Sequence, residues 1–170
     1  MTRQKTLKGN TGLEIGLFVM VTAVLIFMGY AIFQAVDKPK PTLRKIYTAW
    51  AENQLGYNQV MREQQATKLP VLVYIFASWC PHCKELSEKV ISTARVDNYL
   101  HRFPHVRIEP DKGESEKRLM RLFGAEGYPS LYIVMPNGQR KPVETYVLTG
   151  IPRQKTPGEF IETLDKLIKS

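Results

Sequence analysis

The sequence predicts a small α/β domain with helices on both faces of its sheet, preceded by a separate apolar segment. The predicted elements follow the order helix, strand, helix, strand, helix, β-hairpin and helix, which is typical of this fold class. Residues 71–76 are an apolar run without polar alternation, as expected of a central strand covered on both faces. The 170-residue chain is 44% hydrophobic, which is sufficient for one such domain and an appendage.

The appendage is an apolar segment near the N-terminus. Residues 15–36 form a 22-residue run without a charged side chain, long enough to cross a bilayer as a helix. A cleaved signal peptide would have a shorter apolar region that ends in a small-x-small site. Here Phe33, two residues before Ala35, occupies the first of the two positions that require a small residue. We therefore expect an uncleaved transmembrane anchor, which follows an N-terminal tail at residues 1–14 and precedes an extended, charged spacer at residues 37–45.

The net charge of +8 lies largely beside this apolar segment. Basic residues next to a membrane segment are explained by contacts with lipid head groups. The sequence has no basic patch interleaved with aromatic residues that would indicate a nucleic-acid partner. Because basic side chains lie on both sides of the segment, the positive-inside rule does not decide its orientation. These side chains are Arg3, Lys5 and Lys8 before the segment, and Lys38, Lys40, Arg44 and Lys45 after it.

The globular domain is predicted to cover residues 46–170. Its first helix is expected within residues 43–67, with a break near Gly56 left open. We interpret Trp50 and Tyr57 as core residues of this helix and not as a docking surface, because aromatic residues of amphipathic helices usually face the core.

The later elements follow from periodicity and turn signals. Residues 106–108 are predicted to be a short strand, and residues 114–123 a helix ended by Gly124. Strands are expected at residues 130–135 and 143–148, joined by the turn Pro136-Asn137-Gly138-Gln139. The last helix is expected to begin with a capping box between Thr156 and Glu159. The apolar faces of the two helices are assigned to Leu119, Leu122 and Phe123, and to Phe160, Leu164, Leu167 and Ile168.

The chemistry-bearing motif is Cys80-Pro81-His82-Cys83, which follows the central strand and contains both cysteines of the sequence. A helix N-terminus favours thiolate over thiol, so Cys80 is the expected nucleophile of a redox pair. Pro81 suits the first helical position. The motif helix is expected to continue to about residue 95 with Cys83 as a shielded resolving thiol on its apolar face, together with Leu86, Val90 and Ala94.

Two other interpretations of the cysteines are weaker. A structural zinc site would need His82, His101 or His105 as further ligands at irregular spacings. A purely structural disulfide in so short a loop would constrain the unfolded chain little. We therefore predict a redox disulfide between Cys80 and Cys83, with no metal and no other cofactor, and interpret His101 and His105 as surface residues.

Over about residues 55–170 the chain resembles the thioredoxin superfamily. The resemblance is carried by residues 79–83 (Trp-Cys-Pro-His-Cys), residues 127–133 (Gly-Tyr-Pro-Ser-Leu-Tyr-Ile) and Asn137-Gly138. Within the superfamily, the residues flanking the motif are most similar to the C-terminal thioredoxin-like domain of the DsbD reductases. The Pro81-His82 pair is instead similar to the DsbA oxidases, so the two likenesses imply opposite redox directions.

The resemblance implies a thioredoxin fold, with a mixed β-sheet flanked by helices, and thiol-disulfide exchange with protein partners. Trp79, Pro81, Tyr128 and Pro129 are expected to hold the partner's chain, with a cis peptide bond before Pro129. The resemblance also implies a domain that faces the periplasm from the inner membrane, where a membrane electron donor or acceptor is a further candidate partner.

His82 and Tyr74 determine what the resemblance implies about the redox chemistry. A protonated or polarised His82 would stabilise the Cys80 thiolate, so we predict a pair more oxidising than thioredoxin. Tyr74 occupies the position at which many relatives carry a buried acid, so the proton acceptor for Cys83 is left unassigned. Two other function classes stay open, namely a non-catalytic interaction module and a thiol chaperone for metal or cytochrome maturation.

Overall fold

In the computed structural model, which describes residues 11–36 and 47–170, the described residues form six α-helices and seven short strands. The chain divides into two units, residues 1–44 and 45–170. The elements are α1 (Thr11–Val36), β1 (Ala51–Glu52), α2 (Asn53–Thr67), β2 (Val71–Ile75), α3 (Pro81–Leu86), α4 (Ala94–Leu100), β3 (His105–Ile108), α5 (Glu114–Phe123), β4 (Ser130–Val134), β5 (Arg140–Pro142), β6 (Tyr146–Val147), β7 (Arg153–Gln154) and α6 (Pro157–Lys169).

The first unit contains helix α1, which covers the apolar run of the sequence. Among the described residues, no helix is both long and apolar enough to span a membrane. The anchor expected at residues 15–36 stays a prediction. Residues 1–10 of the expected tail and the expected spacer at residues 37–45 lie outside the described residues.

A five-stranded mixed sheet organises the second unit, in the order β1-β3-β2-β4-β5. Strands β1 and β3 run parallel to β2, whereas β4 and β5 continue the sheet by antiparallel pairing. Every residue of β2 is buried, as the unbroken apolar run predicts. Successive β2 side chains point to opposite faces, so Leu72 and Tyr74 lie on one face and Val71, Val73 and Ile75 on the other.

Each face of the sheet is covered by its own set of helices. On the Tyr74 face, the core contains residues of α3, α4 and α6, including Cys83, Leu100 and Phe160. On the opposite face, Val60 of α2 and Phe123 of α5 pack against the sheet. The predicted α/β class, with a mixed sheet flanked by helices, is therefore confirmed.

The start of the globular domain differs from the helix predicted within residues 43–67. Residues 43–46 lie outside the described part, β1 forms an unpredicted edge strand, and α2 begins at Asn53. The helix continues unbroken through Gly56, where an added Cβ would lie 2.7 Å from the Ala51 carbonyl carbon. Glycine thus permits close contact between α2 and the strand before it. Trp50 and Tyr57 pack against the two cores, as predicted, but Trp50 precedes β1 and does not belong to the helix.

The helix after the cysteine motif is shorter than predicted. Helix α3 continues as a π-helical turn, Ser87–Ile91, and the chain then breaks at Thr93, which has extended dihedral angles. The π turn and the break change the helical phase, so Ala94 is exposed, contrary to the prediction. Val96 and Leu100 of α4 are buried instead.

The hairpin after β4 is also displaced from its predicted position. The turn forms as expected, but β5 begins directly after it, whereas the second strand was predicted at residues 143–148. Of that segment, Tyr146–Val147 pairs with Arg153–Gln154 in a separate two-stranded sheet. An edge strand tolerates the charged residues and Pro142 of β5, which the sequence pattern disfavoured.

The last two long helices agree closely with the sequence. Helix α5 has the predicted bounds and ends at Gly124, which is left-handed with φ 65°. The capping box of α6 forms between Thr156 and Glu159. One face assignment is wrong, because Leu122 is 46% exposed whereas Leu119 and Phe123 are buried.

Candidate functional site

The two cysteines lie at the junction between the central strand and α3. Cys80 is the N-cap residue of α3, and its sulfur accepts a hydrogen bond from the Cys83 backbone N–H at 3.2 Å. Pro81 occupies the first helical position, as predicted. Both cysteines are free thiols. This arrangement places the Cys80 sulfur at the helix N-terminus, where unpaired N–H groups favour negative charge.

Both sulfurs are more shielded than a freely accessible nucleophile would be. Cys80 is 5% exposed and Cys83 2% exposed. Cys80 is shielded because its extended backbone turns the side chain back toward Cys83. The neighbouring Trp79, Pro81 and His82 are exposed and form the rim around it.

Cys83 lies in an environment that opposes its ionisation. Burial raises its pKa, and the neighbouring Cys80 acts in the same direction. Hydrogen bonding from the Ala77 backbone and from Tyr74 lowers the pKa in part. The Tyr74 hydroxyl donates to the Cys83 carbonyl at 3.2 Å and lies 3.4 Å from the Ser87 hydroxyl oxygen. Cys83 is therefore a protected thiol whose backbone carbonyl accepts a hydrogen bond from Tyr74, with the Ser87 hydroxyl beside that phenol.

The loop before Cys80 is held by two carboxylates that follow β3. The Ser78 backbone N–H donates to Glu109 Oε1 at 3.0 Å, and Trp79 Nε1 donates to Asp111 Oδ2 at 2.7 Å. The Trp79 ring also meets Tyr128 edge to face, with centroids 5.8 Å apart. Although Trp79 is 68% exposed, these contacts fix its ring beside the cysteines.

His82 is exposed and contacts an element outside the motif. Its Nδ1 lies 3.3 Å from the Tyr146 hydroxyl oxygen, and the two rings meet edge to face at 6.5 Å. Tyr146 belongs to the small β6-β7 sheet, whose connecting loop exposes Leu148 and Ile151. The structure thus joins this sheet to the residue between the cysteines.

The loop at Tyr128-Pro129 also lies at the site. The Tyr128-Pro129 peptide bond is cis, as the resemblance implied. Tyr128 packs against the core cluster that contains both cysteines, and burial raises its pKa. The structure therefore brings together the motif and the proline loop, although they are distant in the sequence.

Four residues at this site were not predicted from the sequence, namely Ser87, Glu109, Asp111 and Tyr146. The carboxylates immediately after a strand parallel to β2 were the available signal, because such strands end at the same sheet edge. Ser87 lies one helical turn beyond Cys83 and could have been placed by helical spacing. Tyr146 had no signal, since its segment was assigned to the main sheet.

The two remaining histidines differ from each other. His101 is half-buried beside Asp97, with Nε2 3.4 Å from Oδ2. His105 is 3% exposed, contrary to its interpretation as a surface residue. It packs edge to face on Trp50 at 4.7 Å and bonds through Nδ1 to the Phe103 carbonyl. Within residues 11–36 and 47–170, no three His, Cys, Asp or Glu side chains cluster as metal ligands.

Comparison with curated proteins shows similarity over part of the chain. Thiol:disulfide interchange protein DsbD of Campylobacter jejuni (strain RM1221) is 28% identical over 87 residues, which make up 51% of this chain and 15% of that protein. Protein disulfide-isomerase of Aspergillus niger is 30% identical over 112 residues, or 58% of this chain and 21% of that protein. The chain thus covers about a fifth or less of the length of either relative.

Solved structures show the same fold over the globular unit. The oxidised C-terminal domain of DsbD from Neisseria meningitidis superposes with a TM-score of 0.56 at 19% identity, and the match covers 69% of this chain and 98% of that domain. At that identity, the likeness concerns the fold. Residues 50–136, just over half of the chain, match the family described as thioredoxin-like. This match and the mixed sheet with its helices lead to one conclusion: the chain belongs to the thioredoxin-like family.

Proposed function

We propose that this protein is a thiol-disulfide oxidoreductase that exchanges disulfides with protein partners through Cys80 and Cys83. The observation that carries the proposal is the placement of the Cys80 sulfur at the N-terminus of α3, with the shielded Cys83 thiol in the next turn. Exchange requires a thiolate and a second thiol within reach, and this arrangement supplies both.

The proposed reaction proceeds in two steps. The Cys80 thiolate attacks one sulfur of the partner disulfide, which forms a mixed disulfide and releases the other partner sulfur as a thiolate. Cys83 then loses its proton and attacks the Cys80 sulfur, so the second partner sulfur leaves. Overall, the partner gains two electrons and two protons while Cys80 and Cys83 become a disulfide. The reverse sequence oxidises a partner dithiol.

We further propose that the exposed rim of the site holds the partner's chain. Trp79, Pro81 and the Tyr128-Pro129 loop surround the cysteines and offer apolar surface beside them. The similarity to DsbD and to protein disulfide-isomerase supports protein thiols and disulfides as the substrate class.

The redox direction is proposed from the two residues between the cysteines. Pro81 and His82 act next to the Cys80 sulfur. The DsbD-like residues that flank the motif mainly indicate common ancestry with DsbD. We propose a pair more oxidising than thioredoxin, whose potential is about −270 mV, and toward that of DsbA at about −120 mV. A stronger membrane electron donor could still make such a pair a reductant of its partners.

The location of the protein is a separate proposal, which rests on the sequence. The uncharged run at residues 15–36 supports an inner-membrane anchor with the globular unit in the periplasm. A reporter enzyme fused after Ser170 that works only in the periplasm should be active and should fractionate with membranes. Activity of a cytoplasm-only reporter at the same position, or a soluble processed chain, would contradict this proposal.

Redox equilibration tests the main proposal. The full chain is incubated in glutathione buffers of graded ratio, and the fraction of the Cys80–Cys83 disulfide is measured after rapid acid quenching and thiol alkylation. We expect one reversible two-electron transition above about −270 mV. The Cys83→Ala variant is the control and should form only mixed disulfides. A pair that does not cycle would overturn the proposed function, whereas a potential at or below that of thioredoxin would overturn only the direction.

A further inference from the structure

Tyr74 occupies an unusual position on the sheet face that carries the cysteines. It is 3% exposed, and its hydroxyl donates to the Cys83 carbonyl at 3.2 Å. The Ser87 hydroxyl oxygen lies 3.4 Å from the same phenol oxygen. The Tyr74 ring contacts Trp50 at 6.1 Å and Phe76 at 5.3 Å between centroids. These contacts fix a phenol hydroxyl in the turn that carries the second cysteine.

This phenol is a donor and not a base. Burial raises the pKa of Tyr74 far above its usual value, and the nearby Cys83 and Cys80 raise it further. Tyr74 therefore keeps its proton at every pH at which exchange would occur. Hydrogen bonding with Tyr74 also lowers the pKa of Cys83, in opposition to burial of that thiol. A hydroxyl that donates to the Cys83 carbonyl in the reduced protein is thus placed where it favours the charged form of the sulfur.

We propose that Tyr74 is a positioning residue for the second exchange step: its hydroxyl, held beside Ser87, shifts its hydrogen bond from the Cys83 carbonyl to the Cys83 sulfur as this becomes a thiolate. The inference rests on the proposed function. In this step Cys83 loses its proton, the Cys83–Cys80 bond forms, and the bond between Cys80 and the partner sulfur breaks. The proton passes through solvent to the departing partner thiolate, so the atoms balance without a carboxylate acceptor.

The proposal predicts different behaviour for the two steps. The first step uses the Cys80 thiolate, so loss of the Tyr74 hydroxyl should leave it unchanged. The second step requires ionised Cys83, and its rate should rise with pH until Cys83 is fully ionised. The titratable groups whose charges interact with Cys83 include Cys80, Tyr74, Tyr128 and Tyr146.

An aromatic disulfide that releases a coloured thiol separates these steps. Reduced full chain is mixed with excess 5,5′-dithiobis(2-nitrobenzoate) in a stopped-flow instrument. Attack by Cys80 releases one coloured thiolate at a rate proportional to reagent concentration, and resolution by Cys83 releases the second at a rate independent of it. The variant is Tyr74→Phe. The matched control is Tyr99→Phe, which removes a hydroxyl that bonds to Asp165 at 2.7 Å.

We expect Tyr74→Phe to slow the second release by about tenfold, since a hydrogen bond to a charged group is lost. The pH profile of the second release should move to higher pH in Tyr74→Phe, and the rate of the first release should be unchanged. Ser87→Ala should slow the second release less, and Tyr99→Phe should change neither. Ser87→Ala keeps the proposal testable if Tyr74→Phe does not fold.

Four results would overturn the inference, the last of them together with the proposed function. A second release in Tyr74→Phe with the parent rate and pH profile would exclude the hydroxyl from the step. Equal slowing of both releases would indicate a general packing defect. If Tyr74→Phe cannot be purified folded, an unchanged second release in Ser87→Ala would have the same consequence. Failure of the parent chain to release the second thiolate would instead overturn the proposed function, and the inference with it.

Discussion

His82 lies exposed at the rim of the redox pair and meets Tyr146, whereas His105 is buried beneath Trp50. A side chain that can carry positive charge next to the Cys80 sulfur favours the thiolate, and therefore the reduced form of the pair. The buried imidazole of His105 is instead held in its neutral form. These surroundings lead to two separate predictions.

Replacement of His82 by Asn should lower the reduction potential, because the reduced, thiolate form loses a stabilising partner. A loss of about 1.4 kcal/mol of interaction with the reduced form corresponds to a shift of about 30 mV. Tyr146→Phe should shift the potential less, since it removes only the hydroxyl that lies 3.3 Å from His82 Nδ1. His101→Asn is the control and should have no effect. A parent potential retained in His82→Asn, measured against glutathione, would refute the role of His82.

The stability of the folded chain should fall in mild acid because of His105. Burial lowers the pKa of His105 below its usual value of 6.5. A base with a lowered folded pKa contributes stability that is complete above about pH 6.5 and is lost as the pH falls through the folded value. The nearby His101 lowers this pKa further, while Asp97 and the Phe103 carbonyl raise it.

Urea unfolding of the parent and of His105→Asn at several pH values measures this effect. Asn can still donate to the Phe103 carbonyl but cannot titrate. We expect the free energy of unfolding of the parent to fall as the pH drops below about 6.5, by up to about 1.4 kcal/mol per unit of pKa shift. His105→Asn should show a smaller fall. Equal pH dependence in the two proteins would assign the effect to another group.

At the scale of elements, α2 depends on close contact with the chain that precedes it. A Cβ at Gly56 would lie 2.7 Å from the Ala51 carbonyl carbon and 2.9 Å from its Cβ, where backbone cannot move aside easily. The contact connects α2 to β1, the edge strand that pairs with β3. A small residue at this position therefore supports both elements.

Gly56→Ala should destabilise the globular unit despite the better helix propensity of alanine. Overpacking costs about 1 to 3 kcal/mol, which exceeds the gain in helix propensity of at most about 1 kcal/mol. Leu55→Ala is the control on the same helix, because Leu55 is 83% exposed and its loss should change stability by less than about 0.5 kcal/mol. A Gly56→Ala variant as stable as the parent in urea unfolding would contradict the close contact.

The elements that could be predicted from the sequence are those with strong local signals. The apolar run of β2, the capping box at Thr156 and the stop at Gly124 all act within a few residues and appear as expected. Strand β1 is only two residues long, so no alternation of apolar and polar residues could reveal it. The π turn after Leu86 changes the helical phase without a distinct sequence signature.

The cysteines and the proline loop of the candidate site were predictable from the sequence. The contacts between segments that are distant in the sequence were not. Both cysteines and the Tyr128-Pro129 loop lie where the motif and the resemblance placed them. The contacts of Glu109 and Asp111 depend on the alignment of β3 with β2, which sequence spacing does not give. The contact between His82 and Tyr146 depends on the separate β6-β7 sheet, which the assignment of one long hairpin excluded.

At the scale of the whole molecule, the sheet and helices serve to hold one reactive junction. The cysteine motif follows the central strand, the proline loop precedes its antiparallel neighbour, and the carboxylates follow its parallel neighbour. Three segments distant in the sequence therefore meet at one end of the sheet. The central claim is that this junction gives Cys80 and Cys83 unequal roles, one as nucleophile and the other as resolving thiol.

Trapping of mixed disulfides by reciprocal variants tests that claim most directly. Full chains carrying Cys83→Ala or Cys80→Ala are incubated with a disulfide-bonded model protein, and adducts are resolved by non-reducing electrophoresis and mass spectrometry. We predict that Cys83→Ala accumulates a stable adduct through Cys80, whereas Cys80→Ala accumulates little because Cys83 is buried and its pKa is raised. Adducts through Cys83 alone, or equal trapping by both variants, would contradict the account.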